Sequence, residues 1–153
     1  IQLPVRMKRE DAMRYIREWD ARYPGYTAYV NRVFNEAATT GEIVSLTSRR
    51  RRFPYVADTT IMPQAANWPI QSTAHDVLMD SIVQMYDPLV RVGAYPLIDV
   101  HDAVLIEARK DNWRDAAHIA YDILTGPHFD GVPSLPAECK MGPDWLHMED
   151  VEL

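Results

Sequence analysis

The chain has 153 residues, 47% of them hydrophobic and 25% charged, a composition that supports a packed core and excludes a disordered chain. The formal net charge of −6 gives no whole-chain sign of nucleic-acid or anionic-membrane binding, but the average hides a split: eleven basic and six acidic residues through Ala57, hence +5, and five basic and sixteen acidic after it, hence −11. The single cysteine, Cys139, excludes an internal disulfide framework, and no Cys/His cluster has zinc-ligand spacing. No apolar run approaches the ~20 residues that span a bilayer and no charged-then-apolar leader opens the chain, so the protein reads as intracellular, with no signal peptide and no membrane partner. Its first residue is Ile1, not Met, which fits equally a trimmed chain, a proteolytic piece and one domain of a longer chain.

In chain order, Ala12, Met13, Ile16, Trp19 and Tyr23 recur at three- and four-residue steps and predict a helix from Arg9, stopped by Pro24-Gly25. A second stripe, Tyr26, Tyr29, Val30, Val33, Phe34, Ala37 and Ala38, ends at Gly41, a suitable left-handed cap. These two make a helical hairpin. Ile43, Val44 and Thr47 are β-branched and precede Arg49-Arg50-Arg51-Arg52-Phe53, which predicts a short hairpin with a basic return strand, and Pro54 to Pro63 reads as loop.

Pro69 suits the first turn of a long helix whose apolar face is Ile70, Ala74, Val77, Leu78, Ser81, Ile82, Met85 and Leu89, with Gln71 and His75 stacked on another face. Between Ala94 and Ala108 two apolar runs flank His101-Asp102, the spacing of a tight hairpin with that pair at its tip. Asp111 can cap a following helix with an apolar face of Trp113, Ala117, Ala120, Tyr121 and Leu124, stopped by Gly126. Leu135, Ala137, Cys139 and Met141 alternate as on a strand, which Pro136 makes an edge strand. The expected fold class is α+β, with helices packed around a small antiparallel sheet and no βαβ rhythm.

Several of these residues have side chains suited to chemistry. A carboxylate at a hairpin tip suits Mg²⁺, which takes one or two protein carboxylates and keeps several waters; Asp102 also simply fits a turn, because Asp bonds its own backbone there. Arg49, Arg50, Arg51 and Arg52 can neutralise phosphates, but on a strand they alternate sides, so two face any one partner; the plain alternative is a charged edge strand. The amides of Asn67 and Gln71 both donate and accept, which suits the minor-groove edges of base pairs, as it also suits ordinary polar surface.

Taken together, Arg50-Arg51-Arg52-Phe53-Pro54, Asn67-Trp68-Pro69-Ile70-Gln71-Ser72-Thr73-Ala74, Val100-His101-Asp102 and Gly142-Pro143-Asp144-Trp145 resemble, in order and spacing, the C-terminal part of family A DNA polymerases. Glu10-Asp11-Ala12 through Tyr23-Pro24-Gly25 is similar to that family's fingers helix ending in Tyr-Pro-Gly. The resemblance implies a partial fingers segment over residues 1–63, with the helical and basic hairpins, and a palm segment over 64–153 with a palm-like sheet. It implies that Asp102 is the motif C carboxylate holding Mg²⁺, that His101 meets the primer terminus, and that Asn67 and Gln71, with Arg49 to Arg52, touch DNA. Primer–template DNA and deoxynucleoside triphosphates would be the partners, DNA replication the setting, and the cytoplasm of a bacterial or phage-infected cell the location. The reaction would be attack of the primer 3′-hydroxyl on a nucleotide α-phosphate between two Mg²⁺ ions.

The chain departs from that pattern at Ala103, where the family has glutamate, at Ser72 for glycine, and at Met62-Pro63 for Glu-Arg. The family's first metal-binding aspartate and its nucleotide-holding fingers helix precede the matched region. A remaining polymerase portion, covalent or separate, is therefore an expected partner, and the isolated chain is expected to be inactive. The alternative is a catalytically degenerate polymerase-derived module for DNA binding or assembly. A single-subunit RNA polymerase shares a His-Asp hairpin, but Asn67, Gln71, Ser72 and Thr73 look more like the DNA enzymes.

Overall fold

A computed structural model describes residues 7–53 and 61–153. Their elements run α1 (Arg9–Arg22), α2 (Pro24–Thr40), β1 (Glu42–Val44), β2 (Arg50–Arg52), α3 (Met62–Arg91), β3 (Ala94–Val100), β4 (Ala103–Ala108), α4 (Trp113–Thr125), β5 (Cys139–Met141) and β6 (Glu149–Val151). The fold is α+β, as the sequence predicts. Among the described residues the strands form three separate two-stranded antiparallel sheets, β1-β2, β3-β4 and β5-β6. The chain divides into two compact units, Ile1–Ile70 and Gln71–Leu153.

In the first unit, Pro24 occupies the opening turn of α2, where its missing N–H is no loss, and so separates α2 from α1. The apolar stripe predicted for α1 is not buried: Met13, Ile16, Trp19 and Tyr23 remain exposed. Trp19 instead packs its ring on Tyr23 (5.2 Å between centroids) and edge-on to Tyr26 (4.9 Å), which pins the corner between the helices. At the other end of α2, Gly41 adopts φ 71° and its N–H donates to Ala37 O at 2.9 Å, the left-handed cap that only glycine reaches without strain. Val33 and Ala37 of α2, Ile43 of β1, Phe53 and Ala65 of α3 then form one core, with Tyr29, Ile61 and Trp68 around it.

That core explains why α3 starts seven residues before the predicted Pro69. Ala65 is completely buried in it, so packing carries the helix through the proline. Pro69 is therefore interior, where it supplies no N–H to the carbonyl four residues back and its ring crowds that carbonyl. Of the loop predicted from Pro54 to Pro63, residues 54–60 lie outside the described residues, and Met62-Pro63 are helical.

In the second unit the face of α3 is buried at Val77, Leu78, Ser81, Met85 and Leu89, but Ala74, and Ile70 at the end of the first unit, which the pattern also assigns to that face, are exposed. Met85 and Leu89 meet Ala94, Ala116 and Ala120 in a second core, edged by Val104, Ile106, Ile119, Ile123 and Leu124. The buried face of α4 is thus Ala116, Ile119, Ala120, Ile123 and Leu124, rotated from the predicted one: Ala120 and Leu124 belong to both, but Tyr121 is exposed. Asp111 does not cap α4. Asn112 is its N-cap residue, and Asp111 is held by Arg109 (Nη2–Oδ2 3.0 Å), which keeps its carboxyl below the usual carboxylate range. The last strand is shorter than the alternation from Leu135 predicts, covering only Cys139–Met141 against Glu149–Val151. Gly142 lies just beyond it, and a Cβ there would run into the carbonyl of His147.

Candidate functional site

The β3-β4 hairpin forms where the sequence predicts it. Val100 pairs with Ala103, leaving His101 and Asp102 as the two-residue turn. His101 carries φ 58°, the left-handed conformation that an L residue adopts only at a cost. Both turn residues are exposed, and among the described residues Asp102 makes no ion pair or side-chain hydrogen bond. The carboxylate is therefore presented outward by the turn with its oxygens uncommitted. A bulge between Pro96 and Ile98 re-aims the start of β3, and Leu97 there is exposed.

Paired residues of a hairpin share a face, so Ala103 lies on the face of Val100, whereas Asp99, paired with Val104, lies on the other. Asp99 therefore does not replace the carboxylate that Ala103 lacks. No group of three or more His, Cys, Asp or Glu side chains able to hold a metal exists among the described residues. Asp102 suits Mg²⁺ as one ligand, and a complete site needs donors from outside them.

The four arginines behave differently from one another. The strand pattern turns Arg51 inward opposite Ile43 and leaves Arg50 and Arg52 exposed. Arg51 stacks over Phe53 at 5.1 Å and its Nη2 donates to Gln64 Oε1 of α3 at 2.8 Å. Arg50 pairs with Glu42 at 2.9 Å. Arg52 makes no ion pair or side-chain hydrogen bond among the described residues, and Arg49 does have a partner. So two of the strand's guanidiniums, Arg50 and Arg52, share the outer face, while Arg51 clamps the hairpin to α3.

Asn67 lies in the first unit, exposed on α3. Gln71 and His75 lie in the second, also exposed on α3, and no hydrogen bond or ion pair among the described residues joins either to His101 or Asp102. Next to Asn67, the Tyr29 hydroxyl donates to the Ala66 carbonyl at 2.8 Å. Burial pushes the Tyr29 phenol above its ordinary range, with Arg32 pulling the other way, so the group stays a donor. Sequence reasoning counts Tyr29 only as part of an apolar stripe. No local signal points to its hydroxyl, because the bond joins residues 37 apart in the chain.

The model of the family "DNA polymerase family A" matches residues 2–147. The chain is 29% identical over 147 residues to the thermostable DNA polymerase I of Thermus aquaticus, a match that covers 92% of this chain and 18% of that protein. It is 32% identical over 142 residues to DNA polymerase I of Deinococcus radiodurans, covering 89% of this chain and 15% of the relative. It therefore spans less than a fifth of the curated relatives it matches. The fold is similar to that of the POL domain of Pol1 from M. smegmatis, solved in complex with DNA primer-template and dNTP, with a TM-score of 0.71 at 20% identity over 78% of this chain and 22% of that one. A family match running almost end to end and a shared fold lead to one conclusion: the chain belongs to DNA polymerase family A.

Proposed function

We propose that this chain is the C-terminal fingers-and-palm portion of a DNA-directed DNA polymerase, with the fingers part giving way to the palm part along α3. It takes part in template-directed nucleotidyl transfer together with a portion that carries the first metal-binding aspartate. The observation that carries this reading is Asp102 at the tip of the β3-β4 hairpin, exposed and without an internal partner among the described residues. In that role Asp102 holds one face of a divalent-cation site, and Mg²⁺ bound there would offset charge on the reacting phosphate. His101, beside it, meets the primer terminus. Asn67 and Gln71 offer amides to the minor groove, and Arg50 and Arg52 offer guanidiniums to backbone phosphates. Primer–template DNA and deoxynucleoside triphosphates are the partners, and the site of action is intracellular. No helix among the described residues is long and apolar enough to cross a membrane.

The test is Asp102→Asn in the whole polymerase that carries this segment. Single-turnover incorporation should fall by roughly 10³-fold while primer–template affinity is kept. An unchanged rate would overturn the metal-ligand role. The isolated chain should extend no primer with Mg²⁺ and nucleotides, and extension by it would overturn the need for a second portion. Ala103, which leaves the tip one acid short, favours a second reading, a degenerate module that binds DNA without catalysis. That reading requires the parent protein itself to bind primer–template without incorporating a nucleotide, and Asp102→Asn to leave that binding as it was.

A further inference from the structure

We propose that Tyr29 is a positioning residue for Asn67, holding by its hydrogen bond to the Ala66 carbonyl the peptide plane from which Asn67 reaches DNA. The inference rests on the reading of Asn67 as a primer–template contact. Its geometry lies wholly within the first unit. The carbonyl of Ala66 and the N–H of Asn67 belong to one planar peptide, so a donor fixed on the first fixes the second. Tyr29 provides that donor from α2 at 2.8 Å, and its ring packs against the core that holds Ala65.

The plane needs an outside support because a proline lies close beyond it. Pro69, two residues past Asn67, brings no N–H to the helix and crowds the carbonyl of Ala65, which makes this turn of α3 one that bends easily. Asn67 itself is exposed and makes no side-chain hydrogen bond among the described residues, so the backbone fixes where its Cβ starts and how far its amide reaches, while χ1 and χ2 turn to meet a partner. A tilt of that peptide moves the amide while the core below stays packed. Base-edge hydrogen bonds are sensitive to such a tilt, because donor and acceptor must keep both distance and angle.

Tyr29→Phe keeps the ring and removes only the hydroxyl. In the whole polymerase, binding of a fluorescein-labelled primer–template duplex, read by anisotropy, should weaken by about two- to tenfold. The KM for primer–template should rise by the same factor with kcat unchanged, the mark of lost binding and not of lost chemistry. Combined with Asn67→Ala, which should itself weaken binding, Tyr29→Phe should add nothing, since the group it positions is already gone. If Tyr29→Phe lowers the melting temperature but leaves affinity and KM unmoved, or if the two substitutions weaken binding additively, Tyr29 is merely structural and the proposal fails while the Asn67 contact stands. If Asn67→Ala alone leaves affinity unchanged, the contact is wrong and the positioning role falls with it.

Discussion

The β1-β2 and β3-β4 hairpins are built on opposite principles. Each turns through a non-glycine residue in the left-handed region, Ser48 at φ 67° and His101 at φ 58°. In the first, side chains secure the turn. Buried Ser45 accepts the Arg49 N–H on its Oγ at 3.1 Å, its Oγ lies 3.0 Å from Thr47 Oγ1, and its own N–H donates to Arg49 O at 2.8 Å. In the second, strand pairing closes the two-residue turn, and among the described residues the Asp102 carboxylate takes no part in the internal bonding. A side chain that a fold does not use for itself is free for a ligand, and the contrast marks Asp102, not the arginine run as a whole, as the stronger functional signal.

The largest effect that separates the two is on stability. Ser45→Ala removes the acceptor of a part-buried backbone N–H and should cost about 1 kcal/mol, read as a lower denaturant midpoint and faster hydrogen exchange across β1 and β2. Asp102→Ala should stay within about 0.5 kcal/mol, since an exposed group with no internal partner stabilises nothing. A comparable loss from Asp102→Ala would show that the second hairpin, too, depends on its tip side chains.

A smaller effect sharpens the same contrast. Glycine adopts positive φ without the cost of roughly 1 kcal/mol that other residues incur, so Ser48→Gly and His101→Gly each remove local strain. Both should raise the midpoint, or at least leave it unchanged where the greater freedom of the unfolded glycine offsets the gain. Their effects on nucleotide incorporation should diverge. Ser48→Gly should leave the rate as it was, and His101→Gly should lower it if, as proposed, the imidazole meets the primer terminus. Equal rates in the two variants would assign His101 to the turn alone.

The second hairpin is fully legible in the sequence, since two apolar runs around His101-Asp102 admit one compact pairing. The family motifs are legible too, because each is a local string. What stays hidden depends on distant packing. The onset of α3 at Met62 has no local signal, because Pro69 is a good helix starter and only the burial of Ala65 against Val33, Ala37 and Ile43 overrides it. The division of labour among Arg49 to Arg52 is half visible: strand alternation predicts two outward guanidiniums, but the inward clamp of Arg51 to Gln64 depends on where α3 lies.

The smallest effect is the one that most directly tests the arginines. Arg51→Ala should cost stability, since it loses the bond to Gln64 and the stack on Phe53, whereas Arg52→Ala should leave the midpoint within about 0.5 kcal/mol. If Arg52 meets a backbone phosphate, its loss weakens primer–template binding alike on every sequence. It should also lower the slope of log affinity against log salt by about 0.9, the counterion released by one phosphate contact. Measuring binding from low to physiological salt separates the cases: at low salt the variant binds more weakly than the parent, and the two curves converge as salt rises. Arg50→Ala removes a guanidinium already engaged by Glu42, so its slope should change less than that of Arg52→Ala. Identical slopes for the parent and both variants would mean that the basic strand is a blunted edge and meets no phosphate.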